Sequence, residues 1–247
     1  PAIVRGPSSK QILKLEWNYP IYEPKVAPVT EGSFARSAKK ALTREEAFRA
    51  LAGDDPRPLL VLRECKVCNG TDEALLKGGV DNEKTFLLAR WFNCVKLPVD
   101  VMDDNHPFHN VFTLETPEHL FVASVDGANH SALESETSRV DLWKSMKALI
   151  SAEYKGDADK SIVKIAKVID KLDVVDQRYL ALQERRDAIL IKDGPKSRKL
   201  VKLKKSLAKV EADRVKLRKE VEKETVLELK RITQLKGQSG ASRKGDI

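Results

Sequence analysis

The sequence predicts an α/β domain, a mixed sheet with helices packed on its faces, followed by an antiparallel α-helical hairpin of coiled-coil type. Three observations carry this. Between Thr43 and Gly156, short apolar runs of strand length alternate with capped amphipathic segments. Beyond Gly156, apolar residues recur at threes and fours along two long charged stretches. The charge changes sign at the same place: residues 155–247 carry 26 Lys and Arg against 15 Asp and Glu, a net of +11, whereas 1–154 carry 19 against 22, a net of −3. Such asymmetry marks units with different tasks.

Residues 1–42 contain Pro1, Pro7, Pro20, Pro24 and Pro28 and show little periodicity, so they read as an extended arm with one short strand at "QILKLEW". Ile12, Leu13, Leu15, Trp17, Tyr19, Ile21 and Tyr22 are costly to leave in water, and predict that the arm wraps onto a neighbouring surface. The sheet domain spans 43–156. In "TREEAFRALAG", Thr43 with Glu46 three residues on has capping-box spacing, and Gly53 closes the helix. "RPLLVLRE" is a buried strand leading into Cys65 and Cys68. "TDEALLKGG" and "NEKTFLLARWFN" are helices, and "CVKLPVDV" is a strand. "TPEHLFVASVDGANHSALES" holds two strands around an Asp-Gly turn, and Ser138 caps a last helix, "RVDLWKSMKALISAEY".

The hairpin spans 157–234. Its first helix runs to Ile191, with apolar residues at Ile162, Ile165, Ile169 and Leu172 and then a slip of phase through Val175, Tyr179, Leu182 and Ile189. "KDGPKSRK" breaks it, Gly194 ending one helix and Pro195 opening the next. The second helix carries Leu200, Leu203, Leu207, Val210, Leu217 and Val221, with Arg214 at the one core position not held by an apolar residue. Residues 235–247 read as a disordered tail.

No apolar run approaches the roughly 20 residues that cross a bilayer, so no membrane span is expected. Three cysteines are too few to frame a disulfide-rich secreted domain. The chain begins without Met; if that reflects processing, an extracytoplasmic or secreted location follows, and the compartment is otherwise open. There is no Gly-rich phosphate loop and no nucleophile elbow, and no cofactor is expected.

Over about 43–154 the chain resembles the thioredoxin fold. A buried strand, "LLVLRE", leads into Cys65-Lys66-Val67-Cys68; "VKLPVDV" is similar to the family's segment of that type; and Thr116-Pro117 precedes a strand and an Asp-Gly turn, ahead of a terminal helix. The resemblance implies a thioredoxin-like mixed sheet, Cys65 and Cys68 as the catalytic dithiol, and Thr116 and Pro117 as a substrate-binding edge with a cis-proline facing it. Three positions depart from the family: Glu64 stands where Trp is common, Lys-Val separates the cysteines instead of Gly-Pro, and Leu59 occupies the place of a buried proton-accepting Asp.

Thiolates attack disulfides, so a redox site needs a first cysteine that ionises readily. Cys65 is placed for this at the amino end of the "TDEALLK" helix, with Arg63 and Lys66 beside it and Glu64 opposing. The expected function is thiol–disulfide exchange with a protein partner bearing a disulfide or dithiol, Cys65 as nucleophile and Cys68 as resolving thiol. The alternative is a non-enzymatic adaptor on the same fold, with a stable disulfide or idle thiols, working through its coiled coil. A zinc reading draws on His106 and His109 of "HPFH" together with the CxxC. The 37 intervening residues make that spacing nonstandard, so these histidines are read as loop or cap residues and no metal is assigned. Cys94 reads as a small buried apolar residue, and His119 and His130 have no triad context.

Between Lys192 and Lys219 twelve Lys and Arg face three Asp and Glu. Such a cluster suits phosphates, yet 192–247 contain no aromatic residue on which bases could stack. Protein contact or homo-oligomerisation through 157–234 is therefore the first expectation for the arm, and nucleic acid the second.

Overall fold

The structure, a computed structural model, describes residues 4–22, 41–65, 75–112, 117–133 and 136–231. They form two compact units, one from the first 14 residues with 157–227, the other from 15–156 with the segment that begins at Glu228.

The second unit is mixed α/β. Helix α2 (Arg44–Ala52) follows the short helix α1 (Pro7–Ile12) in the chain. It starts as expected: the Thr43 side chain accepts from Glu46 N–H, the Glu46 carboxylate accepts from Thr43 N–H, and Gly53 closes the helix at φ 55°. Strands β1 (Leu59–Arg63), β2 (Asn93–Leu97), β3 (Leu120–Ala123) and β4 (Ser131–Leu133) form one sheet in the order β2-β1-β3-β4. β2 is parallel to β1, and β3 is antiparallel to both β1 and β4. Helix α3 (Glu83–Ala89) makes the crossover between the parallel pair, and α4 (Arg139–Glu153), capped by Ser138, follows β4.

Alternation along the strands divides the core. Leu59 and Val61 face one side with Val95, Leu97, Phe121 and Ala123, against Phe48 and Leu51 of α2 and Phe108, Val111 and Phe112. Leu60, Leu62, Leu120 and Val122 therefore face the other side, where α4 buries Leu142, Met146 and Ile150. Each such side chain contributes about 1.5–3 kcal/mol on burial. A two-stranded ribbon, β5 (Tyr154–Lys155) with β6 (Glu228–Leu229), closes the unit, and Tyr154 Oη donates to Trp91 O at 2.8 Å.

The strand expected at "QILKLEW" is absent. Pairing comes one residue later, where Asn18 bridges Val95 on the outer edge of β2, its N–H donating to Cys94 O at 2.7 Å.

In the first unit, α5 (Ala158–Asp193) and α6 (Arg198–Thr225) are the two hairpin helices. With 36 residues, α5 is about 54 Å long. Gly194 ends α5 at φ 76°; α6 begins not at Pro195 but at Arg198, with Ser197 as its cap. Ile165, Val168, Ile169, Leu172, Leu203, Val210 and Val221 are buried in the seam.

The segment read as extended contains α1, and the reason lies far along the chain. Asp173 Oδ1 accepts from Gly6 N–H at 2.7 Å, and Asp176 accepts from Ser8 N–H and Ser8 Oγ at 2.8 and 2.9 Å. Two acids of α5 thus satisfy the free amides of the first α1 turn. Gly6 fits there because a Cβ would lie 2.6 Å from Asp176 Oδ2.

Candidate dithiol site

Cys65 lies two residues beyond the end of β1, half-buried and disulfide-bonded. Cys68 and Thr116, with the Thr116–Pro117 bond, fall outside the described residues; Pro117 is described and half-buried. The antiparallel pairing of β1 and β3 continues past its last ladder pair, Leu62 with Leu120, through Arg63 N–H donating to His119 O at 2.7 Å. Cys65 follows Arg63 by two residues and Pro117 precedes His119 by two, so both leave the sheet at the same end.

Arg63 holds that end together. Its Nη2 donates to Pro117 O at 2.9 Å and its Nε to Glu118 O at 3.3 Å, while its guanidinium lies 5.7 Å from the centroid of the Phe112 ring. Two carbonyls before β3 are thereby fixed by one planar fork, a geometry open to arginine and not to lysine. On the other flank Glu64 N–H donates to Leu97 O at 2.9 Å, and Glu64 pairs with Lys96 at 2.7 Å.

A second device holds the chain where it re-emerges after the cysteine segment. The wholly buried Asn82 donates through Nδ2 to Leu75 O at 2.7 Å and to Lys77 O at 2.8 Å. Thr85 Oγ1 donates in turn to Asn82 Oδ1, and Trp143 Nε1 of α4 donates to Thr85 Oγ1 at 2.8 Å. The segment that begins at Leu75 is thus tied through α3 to α4.

Glu118 is buried beside Pro117, its Oε1 2.8 Å from Nε2 of His130, whose ring stacks on Phe121 at 4.7 Å between centroids. Burial pushes the Glu118 carboxyl up, but the His130 contact and the nearby Arg44 outweigh it and hold the group below its usual range. Sequence reasoning missed Asn82, Thr85 and this pair; a polar residue following Pro117 into an otherwise apolar strand was the one available signal for Glu118.

The remaining candidates have structural roles. Cys94 is a free thiol, and burial pushes it up to about 12. His106 Nδ1 accepts from Phe108 N–H at 3.2 Å, and His109 Nε2 lies 3.9 Å from Asp104. Leu59 is completely buried between Asn93 and Ala123. No helix among the described residues is long and apolar enough to cross a membrane. No protein-family model matches the chain, and no curated protein or solved structure does so either.

Proposed function

We propose that this chain carries a thioredoxin-like domain performing thiol–disulfide exchange on a protein partner. The observation that supports this most is the convergence of Cys65 and Pro117 at one end of a β2-β1-β3-β4 sheet in which only β3 runs against the others, with Arg63 spanning the gap. In this reading the Cys65 thiolate attacks one sulfur of a partner disulfide, forming a mixed disulfide and expelling the partner's other sulfur as a thiolate. The Cys68 thiolate then attacks Cys65 Sγ, closing the intrachain disulfide and releasing the second partner thiolate. Two electrons pass from the dithiol to the partner, and the reverse sequence oxidises a partner dithiol. Cys65 is disulfide-bonded while Cys94 is free, which accords with Cys65 being the cysteine that takes part in disulfide chemistry.

Leu59 favours a second reading. A fully apolar residue stands where a proton acceptor would serve turnover, which suits an adaptor whose disulfide is a permanent staple and whose hairpin makes the contacts. The reduction potential separates the two. Equilibration with glutathione at a potential between about −270 and −120 mV, with exchange lost in Cys65→Ser, supports the enzyme; a value below about −300 mV with negligible exchange supports the adaptor.

A further inference from the structure

The hairpin holds a feature that the dithiol does not use. From Gly194 to Val210 there are seven Lys and Arg and no Asp or Glu. Five cations of α6, Arg198, Lys202, Lys205, Lys209 and Lys216, fall within about 60° of arc at 100° per residue, a stripe about 27 Å long. All five are exposed, and among the described residues the ion pairs of α6 cations fall on others, Lys199 with Asp193 and Arg214 with Asp176 and Glu211. The stripe is turned about 125° from the seam marked by Leu203, Val210 and Val221. It therefore faces away from α5, with which α6 packs. Between Arg198 and Lys209 this helix carries no acid, whereas a surface serving only solubility alternates its signs, and like charges four apart destabilise it.

We propose that this stripe is a binding track for the sugar–phosphate backbone of a double-stranded nucleic acid. Successive cations from Arg198 to Lys209 are about 4.5–6 Å apart along the axis, a dense linear array suited to a linear polyanion. The missing aromatic residues of 192–247 remove the stacking platform that single strands need, leaving backbone contact without base reading. A membrane surface fits less well, because an interfacial helix inserts an apolar face and that face of α6 is packed in the hairpin. An acidic protein fits less well too, since 192–247 offer no aromatic anchor beside the charges.

The test is fluorescence anisotropy of the full chain with labelled 24-base-pair duplexes, one of RNA and one of DNA, between 50 and 200 mM salt. Five phosphate contacts give a log–log slope of about −4.5 on DNA, an affinity loss of about 500-fold over that range. Replacing three of them in Lys202→Gln/Lys205→Gln/Lys209→Gln lowers the slope to about −1.8, a loss of about 12-fold, with circular dichroism unchanged because all three are exposed. Preference between the duplexes identifies the source of the backbone. Absence of binding at 50 mM salt, binding indifferent to the triple substitution, or equal affinity for phosphatidylserine vesicles or polyglutamate overturns the proposal.

Discussion

Arg214 Nε lies 2.8 Å from Asp176 Oδ1 across the hairpin, the two side chains 14% and 2% exposed. The heptad position that the sequence leaves to an arginine is thus completed by an aspartate of the facing helix. The same carboxylate serves Ser8, and Arg218 Nη2 also donates to Ser8 Oγ at 3.2 Å, so α1, α5 and α6 meet at one acid. The Arg214 guanidinium also lies 4.7 Å from the Tyr179 ring centroid.

Removing that acid leaves two Ser8 donors unpartnered and takes from Arg214 its partner across the hairpin, while Glu211 on its own helix stays paired with it at 2.9 Å. Asp176→Ala is expected to destabilise the hairpin unit by about 1–3 kcal/mol for each buried Ser8 donor left unsatisfied. Arg214→Met costs less, since Ser8 still occupies both carboxylate oxygens. Urea denaturation followed by far-ultraviolet circular dichroism ranks the two; equal losses would show that the acid does no more than neutralise the arginine.

Asp173 makes the same unit sensitive to acid. Burial pushes its carboxyl up, but hydrogen bonds from Ser9, Arg5 and Gly6 N–H and the Arg5 charge outweigh burial and leave it below its ordinary value. A depressed folded value means that the stabilisation is complete above the unfolded value, near pH 4, and is lost as pH falls through the folded one. Stability of the α1 contact is expected to decline below about pH 4 in the parent. In Asp173→Asn that part of the decline is absent, a difference readable from thermal melts taken at successive pH values.

Cys94 is expected to stay silent in the folded protein. With its thiol pushed up to about 12, the thiolate fraction at pH 8 is about one in ten thousand. Iodoacetamide applied to the reduced native chain should leave Cys94 unmodified, and label it once guanidinium has unfolded the sheet. Peptide mass spectrometry reads both results, and native labelling of Cys94 would contradict its burial.

Arg63→Lys tests the clasp. A single ammonium cannot reach the Pro117 and Glu118 carbonyls in one plane, so the edge before β3 loosens while the cysteines are untouched. If that edge receives the partner, KM for a disulfide-bearing protein rises about tenfold with the reduction potential unchanged, since only substrate positioning is affected. A shifted potential with constant KM would mean that Arg63 acts on the sulfurs instead.

What could be read from the sequence was what short-range chemistry decides. Thr43 and Glu46 announce α2, the apolar run at 59–62 announces a central strand, and Gly194 announces the end of α5, each within a few residues of its partner. Cys65 and Pro117 were named on the resemblance to a thioredoxin fold, and the β1–β3 pairing brings their chain segments to one end of the sheet. Helix α1 was not legible, because the acceptors for its first amides lie about 167 residues away on Asp173 and Asp176. Nothing local to those two acids marks them as acceptors for a segment at the other end of the chain. Asn82 was hidden similarly: its donors serve carbonyls at Leu75 and Lys77, and its support comes from Trp143 on another helix.

The ribbon of Tyr154–Lys155 with Glu228–Leu229 has a consequence for how the chain can be rearranged. It clamps the points where the polypeptide departs for the hairpin and comes back, about 5 Å apart in adjacent strands. The 71 residues between Asp157 and Leu227 are therefore an inserted cassette with neighbouring ends, which a turn of a few residues can replace without opening the sheet. Excision would also unseat α1, whose amides have their acceptors inside the cassette, so the first 14 residues belong with what is removed.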